Sequence, residues 1–201
     1  MPKSSTTPSR RAALLLAGGV AALAFVLDQV TKIWVERNMT LGEQIDALPP
    51  VLYWRYHLNP GAAFSMGTDY TWFFTLVMVG VLGFVIWHSR RLGGSWAWAL
   101  ALGGLAGGVA GNLTDRLFRA PSLVDGEFVS FAQGHVVDFI AVPRFAIFNI
   151  ADSFIVCSII GLCALMVFGF EMDGTRHTKK SAEETEKAPE DDAAADKDAP
   201  A

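Results

Sequence analysis

Hydrophobic residues fall into four long stretches that are almost free of charge. The uncharged stretches hold sixteen, twenty, twenty-three and twenty-six residues, the last broken by one acid, and they occupy positions 12–27, 70–89, 92–114 and 145–170. A transmembrane helix needs about 20 mostly apolar residues to cross the hydrocarbon core. The pattern therefore predicts an all-α integral membrane protein with four transmembrane helices.

The first stretch allows two interpretations. Arg10-Arg11, an apolar run and Ala22-Leu23-Ala24 together resemble a secretory signal peptide with a small-residue cleavage site. However, the apolar run continues through Phe25-Val26-Leu27, and three more stretches follow it. We therefore favour a first helix that is retained in the protein.

The segment after the first stretch contains a predicted strand. Residues 51–58 follow Pro49-Pro50 and are rich in aromatic and branched side chains, which is typical of a β-strand. Asn59-Pro60-Gly61 then marks a turn. We expect a small extracytoplasmic β-sheet at the membrane surface.

Charge divides the chain into three segments and predicts its orientation. Ten Lys and Arg residues lie on the side of both termini and six on the other side, which predicts that both termini are cytoplasmic. Residues 171–201 hold ten acids and five bases and are expected to form a disordered acidic cytoplasmic tail. Residues 1–11 form a cytoplasmic N-terminal segment, and residues 12–170 form a four-helix membrane domain.

Composition excludes several classes of function. The chain is 52% hydrophobic and 18% charged, and outside its tail it has no basic stripe that would bind nucleic acid. Cys157 and Cys163 lie six apart in an apolar run, and the four histidines lack the spacing of metal ligands. The glycines of 103–108 precede no strand-to-helix turn, so they indicate a helix-packing face rather than a phosphate loop. We expect no metal and no cofactor.

Polar side chains nevertheless gather where the apolar stretches meet the outer side. Charged groups inside a membrane cost about 2.5–3.5 kcal/mol each and are functional candidates by default. Asn112 and Asp115 share a spacing with Asn149 and Asp152, and Asp138 lies in an otherwise apolar patch.

Each of these groups also has a structural explanation. Asp28 and Lys32 are four apart on one helix face and can form an ion pair. Asn149 can cap the fourth helix. Asp115 and Arg116 can form a pair in which Arg116 reaches to the membrane interface.

The convergence of four acids on one membrane face points to a particular chemistry. Two adjacent carboxylates cannot both ionise easily, so one keeps a proton, and the pair can activate a water molecule. That is the chemistry of an aspartic peptidase. The residue pattern does not identify which two of the four acids form the pair. An ion-coupled carrier and an assembly scaffold are the alternatives, and a carrier would place its acids near the bilayer midplane.

Five sequence blocks, in order over residues 12–169, resemble the prolipoprotein signal peptidases, the type II signal peptidases of bacteria. The blocks are Asp28-Gln29-x-x-Lys32, Asn59-x-Gly61-Ala62-Ala63-Phe64-Ser65, Gly111-Asn112-Leu113-x-Asp115-Arg116, Val136-Val137-Asp138-Phe139 and Phe148-Asn149-Ile150-Ala151-Asp152-Ser153.

The resemblance implies an intramembrane aspartic endopeptidase of the bacterial cytoplasmic membrane, with its active site towards the extracytoplasmic face. Such enzymes remove the signal peptide of lipoprotein precursors just before the diacylglyceryl-modified cysteine, in contact with membrane lipids, and are sensitive to globomycin-like cyclic peptides. The implied catalytic pair is Asp138 and Asp152, whereas Asp28 and Lys32 are structural. The implied substrate-binding or pair-supporting residues are Asn59, Gly61, Asn112, Asp115, Arg116 and Asn149.

Overall fold

The computed structural model describes residues 8–61, 71–119, 123–124, 127–128 and 131–176, and the structural statements below refer to these residues. The helices are α1 (Arg10–Asn38), α2 (Thr71–Ser89), α3 (Trp96–Phe118) and α4 (Ile150–Val167). The strands are β1 (Gln44–Leu48), β2 (Leu52–Asn59), β3 (Leu123–Val124), β4 (Glu127–Phe128), β5 (Val136–Val142) and β6 (Ala146–Phe148).

Three of the sequence predictions fall partly outside the described residues. These are the N-terminal segment before residue 8, the second sequence block beyond Gly61 and the acidic tail beyond residue 176. The first residues of the predicted tail, 171–176, fold back as a turn, and the carbonyl of Met172 accepts hydrogen bonds from the amides of Gly93 and Gly94.

Helix α3 forms the centre of the helix bundle and packs against α1, α2 and α4. Its glycines make this close packing possible, because an added Cβ at Gly103 or Gly107 would run into the backbone of α1. An added Cβ at Gly108 would lie 2.6 Å from the carbonyl oxygen of Ala151 in α4. The prediction that the glycine stretch is a helix-packing face is confirmed.

Replacing Gly107 by alanine should lower the thermal unfolding temperature in detergent. The new methyl group would meet the carbonyl oxygen of Ala21 and lie 2.8 Å from the Cβ of Ala24. Overpacking of this kind costs about 1–3 kcal/mol. Gly80→Ala in α2 is the matched control, because no atom lies within 4 Å of its added Cβ and alanine favours helix formation. Equal unfolding temperatures for the two variants would contradict this packing.

The outer surfaces of the bundle are apolar and exposed. Leu23 and Val30 of α1, Phe84 of α2 and Ile160 of α4 are each more than half exposed. Within the described residues, three helices are long and apolar enough to cross a membrane, namely α1, α2 and α4. Exposed hydrophobic surface of this extent indicates that the outer faces of the helices contact an apolar environment.

Helix α1 runs without interruption across Ala22-Leu23-Ala24. Ala17, which precedes this point, and Ala24, which is part of it, are buried. The first apolar stretch is therefore an integral part of the bundle.

A four-stranded antiparallel sheet of order β1-β2-β5-β6 lies at the end of the bundle where α1 and α3 finish and α4 begins. Strand β2 matches the strand predicted over 51–58 to within one residue. One face of the sheet packs on the end of α1, where Trp54 and Phe139 join a buried cluster with Val35 and Met39. The other face is lined by the alternate residues of β2 and β5 and opens towards the helix ends.

Candidate active site

A cavity of about 580 Å³ lies between the open face of the sheet and the ends of the helices. Asp138 reaches it from the middle of β5, and Asp152 reaches it from the first turn of α4. Asp138 is almost completely buried, with 1% of its surface exposed. The structure therefore brings together two carboxylates that are fourteen residues apart in sequence.

Asn149 connects these two carboxylates. Its side-chain oxygen accepts the backbone amide of Asp152 at 2.9 Å, and its own backbone amide donates to Asp152 Oδ2 at 3.1 Å, which forms a capping box at the start of α4. Its Nδ2 donates to Asp138 Oδ1 at 2.7 Å. The predicted helix cap is confirmed, and the same side chain also fixes the position of Asp138.

Asn112 of α3 supports the pair from the helix side. Its Nδ2 donates to Asp152 Oδ1 at 2.7 Å. Its Oδ1 accepts hydrogen bonds from Lys32 Nζ at 2.9 Å and from Asn149 Nδ2 at 3.1 Å. This side chain therefore links the two carboxylates of the cavity to the buried lysine.

A second chain of contacts reaches Asp138 from the other side. Asn59 Nδ2 donates to Asp138 Oδ2 at 2.9 Å, and Asn59 Oδ1 accepts the backbone amide of Gly61 at 3.0 Å. Arg116 Nη2 then donates to the carbonyl oxygen of Gly61 at 2.8 Å. The turn after β2 is therefore held between α3 and the carboxylate.

The pKa of Asp138 is unusually high for a carboxyl group. Burial, followed by the charge of Asp152, raises it from 3.8 to about 7, although the hydrogen bonds from Asn59 and Asn149 act in the opposite direction. A neutral amide donor stabilises a carboxylate less strongly than a cationic donor would. The amides around Asp138 therefore do not offset the effect of burial, and its carboxyl group keeps its proton near neutral pH. A site with one neutral and one ionised carboxyl group can donate and accept a proton at once.

The two remaining acids belong to a separate ionic cluster behind the cavity. Lys32 Nζ lies 2.7 Å from Asp28 Oδ2 and 2.8 Å from Asp115 Oδ2, and all three side chains are completely buried. Together with Asn112, these carboxylates provide three acceptors for the three protons of the ammonium group. Asp28 and Asp115 therefore each contact a cation directly, unlike the pair in the cavity.

Each acid of this cluster also holds the backbone just before one of the cavity carboxylates. Asp28 Oδ1 accepts the amide of Ala151 at 2.9 Å, and Asp115 Oδ2 accepts the amide of Val137 at 3.3 Å. Asp152 and Asp138 are the next residues in the chain. The ionic cluster thereby fixes the separation of the two elements that carry the cavity carboxylates.

The predicted pair of Asp115 with Arg116 is wrong, and the contacts that Arg119 and Gln29 make with the acids were not predicted. Asp115 pairs with Lys32 and Arg119 rather than with Arg116. Arg116 is 2% exposed and donates to backbone carbonyls, so it does not extend to the membrane interface. Gln29 Nε2 donates to both Asp28 and Asp115. The sequence did contain a signal for the contact of Asp115 with Arg119, because residues four apart lie on one helix face.

Comparison with known proteins shows the family to which the chain belongs. The family model described as signal peptidase (SPase) II, peptidase family A8, matches residues 20–168. The chain belongs to the signal peptidase II family. It is a protease, and the carrier and scaffold alternatives are therefore wrong.

Curated relatives of this signal peptidase carry a consistent description. The lipoprotein signal peptidase of Leifsonia xyli subsp. xyli is 43% identical over 202 residues, covering 98% of this chain and 89% of that protein. The lipoprotein signal peptidase of Mycolicibacterium smegmatis is 44% identical over 183 residues, covering 90% of this chain and 73% of that protein.

The fold is also shared with solved structures. A bacterial membrane enzyme determined by the in meso method at 1.9 Å resolution is 26% identical, with a TM-score of 0.63, and the match covers 75% of this chain and 91% of that one. A second such structure, at 2.3 Å resolution, is 24% identical with a TM-score of 0.65, and the match covers 81% and 94%. The signal peptidase is therefore a multi-pass membrane protein that combines apolar helices with a small antiparallel sheet.

Proposed function

We propose that this signal peptidase is an aspartic endopeptidase in which Asp138 and Asp152 form the catalytic pair. The observation that carries the proposal is the contrast between the two sets of acids. Asp28 and Asp115 each form an ion pair with one buried lysine, whereas the two cavity carboxylates accept hydrogen bonds from neutral amides. A shared proton is the simplest way to stabilise such a pair in a buried site.

The chemistry follows from the unequal protonation of the pair. Asp152, ionised, takes a proton from a water molecule that attacks the scissile carbonyl carbon. Asp138, neutral, donates its proton to the carbonyl oxygen, and the tetrahedral intermediate is neutral. When the C–N bond breaks, a proton passes from Asp152 to the leaving amine, and Asp138 recovers its proton from the intermediate.

Arg116 is our candidate donor to the substrate backbone. Its guanidinium group lines the cavity, and its Nε is buried without a hydrogen-bond partner among the described residues. An unpaired buried donor costs about 1–3 kcal/mol, which a substrate carbonyl would relieve. We assign Asn59, Gly61, Asn112, Asp115 and Asn149 to holding the catalytic pair and the turn beside it.

The proposed substrates are diacylglyceryl-modified prolipoproteins, cut just before the lipidated cysteine. We propose that α3 is a fourth membrane span, shielded by its neighbours, within a single domain of residues 12–170. The sheet then lies at the extracytoplasmic surface of the bacterial cytoplasmic membrane, and both termini are cytoplasmic. The apolar lining that Met78 and Val156 give to the cavity supports entry of the precursor from the lipid.

A cleavage assay tests this function. The purified signal peptidase, reconstituted in lipid, is incubated with a diacylglyceryl-modified precursor and with its unmodified form. We expect release of the signal peptide from the modified form, inhibited by a globomycin-like cyclic peptide and insensitive to a serine reagent. Cleavage at another bond, or equal cleavage of the unmodified form, would refute the proposed specificity.

The rate of cleavage should fall as the pH rises through about 7. Because the pKa of Asp138 is raised to about 7, this carboxyl group holds its proton below that pH and loses it above. Loss of the proton leaves two carboxylates and no acid to protonate the carbonyl oxygen. The measurement is kcat/KM between pH 5.5 and 9 with a precursor that has no titratable residue near the scissile bond.

His57 provides the control for this pH dependence. It pairs with Asp138 across the strands, and burial, together with the charge of Arg55, lowers its pKa below 6.5. The decline in rate should therefore persist in His57→Gln. A decline that disappears in this variant would assign the titration to the histidine instead.

A further inference from the structure

A second groove continues from the catalytic cavity across the sheet. Its volume is about 670 Å³, and Phe145, Ala146 and Ile147 line both the groove and the cavity. The groove and cavity therefore form one continuous surface. Because α2 and α4 line the cavity but not the groove, the groove leads away from the membrane-facing helices.

The described lining of the groove is positively charged. Arg55 of β2 and Arg144 of the β5–β6 turn line it, and its described lining includes no carboxylate. The side chain of Asp46, on the outer strand β1, is outside this lining. We refer to this surface, lined by Arg55, Arg144, Tyr53 and Ala141, as the arginine groove.

The strand register gives the distance between the arginine groove and the reacting bond. Asp138 pairs with His57 on β2, and Ala141 pairs with Tyr53. Three residues along a strand span about 10 Å, so an extended peptide beside β5 covers the same distance with about three residues. A peptide that is cut beside Asp138 therefore reaches the arginine groove about three or four residues from the cut.

The part of the precursor that fits this groove is the segment after the lipidated cysteine. The signal peptide is apolar and belongs with the membrane-facing helices, whereas the segment after the cysteine must leave the membrane for water. On the basis of the proposed function, we propose that the arginine groove binds this segment and favours acidic residues about three to four positions after the scissile bond. Substrate choice would then depend on the mature lipoprotein as well as on its signal peptide.

Competition between matched precursors tests the proposal. Three diacylglyceryl-modified precursors carry Asp, Asn or Lys at the third and fourth positions after the scissile bond, and they are cleaved together by the signal peptidase in phosphatidylcholine nanodiscs. We expect the Asp precursor to have a kcat/KM about three- to tenfold above that of the Asn precursor, and the Lys precursor to have the lowest value. Added salt should reduce these differences.

Variants of the two arginines should change the preference within one enzyme. In the Arg55→Gln/Arg144→Gln double variant the ratio of Asp to Asn cleavage should fall to about one, and in Arg55→Glu/Arg144→Glu the Lys precursor should become the preferred one. Because each ratio is measured with a single preparation, a partial loss of folded protein does not affect it. Arg37→Gln removes an exposed charge from the end of α1 and should keep the wild-type ratio.

Two results would overturn the proposal while leaving the proposed function intact. One is equal cleavage of the three precursors by the wild type. The other is a requirement for phosphatidylglycerol in the nanodisc, independent of substrate charge, which would assign the arginines to lipid headgroups. Failure to cleave any of the three precursors, both in phosphatidylcholine nanodiscs and in nanodiscs that contain phosphatidylglycerol, would instead refute the proposed function.

Discussion

Asp138→Asn and Asp152→Asn should each lower the rate of signal-peptide release by about 10²–10⁴-fold, the contribution typical of a general acid or base. The structure supplies the physical reason, because both carboxyl groups face one cavity and are bridged by Asn149. An amide in place of Asp152 cannot accept a proton from water. An amide in place of Asp138 cannot donate one with comparable ease to the carbonyl oxygen.

These variants should remain folded and membrane-inserted. In each variant the NH₂ group of asparagine replaces a carboxylate oxygen and faces a hydrogen-bond donor. This mismatch costs about 1–3 kcal/mol. At position 138 the loss is offset in part, because a buried carboxyl group near the Asp152 charge is removed. Thermal unfolding in detergent and extraction from membranes, alongside the cleavage assay, separate a chemical effect from a folding effect.

Asp46→Asn is the matched control for both variants. It makes the same chemical change in the sheet that carries Asp138, but Asp46 is an exposed residue of β1 that lies outside the cavity. It should cleave within about twofold of the wild type, since exposed substitutions rarely disturb a protein. If Asp138→Asn cleaves at a near-normal rate while Asp115→Asn does not, the catalytic pair has been assigned to the wrong acids.

Local pattern was sufficient to predict most of the architecture. The charge-free stretches correspond to the four helices, and the aromatic run before Asn59 corresponds to β2. Strand β5 was not predicted, because its sequence, apart from Asp138, is apolar on both faces and one of its two partners lies far away in the chain. It pairs with β2, about eighty residues earlier, and such pairing has no local signature.

The distinction between the four acids also depends on contacts that sequence does not contain. Asp28 could be paired with Lys32 from their spacing alone. Asp115 faces the same lysine only because the glycines of α3 allow it to approach α1, and Gly111 lies directly against the Asp28 carboxylate. The roles of the acids therefore follow from helix packing. It places Asp28 and Asp115 against the ammonium group of Lys32, whereas the other two acids accept hydrogen bonds from amides.

Replacing Lys32 by methionine should destabilise the fold by about 3–5 kcal/mol, the usual cost of leaving a buried charge without its partner. Methionine has nearly the same length, so the loss is electrostatic rather than one of volume. Asp28 would then be a buried carboxylate without a cation, Asp115 would keep only its contact with Arg119, and Asn112 would lose a donor. Lys32→Arg should also be destabilised, because a planar guanidinium group cannot direct its donors as the ammonium group does.

Thermal unfolding in detergent measures this effect, with Arg37→Met as the control on an exposed position of the same helix. Cleavage should be lost together with stability, because the same carboxylates hold the amides of Ala151 and Val137, next to the catalytic pair. Adding Asp28→Asn to Lys32→Met should recover part of the stability, since it removes the carboxylate that is left without a cation. If Lys32→Met unfolds at the wild-type temperature, the ionic cluster does not hold the two catalytic elements together. If the double variant is less stable than the single one, the hydrogen bond to Ala151 rather than charge balance is the main contribution of Asp28.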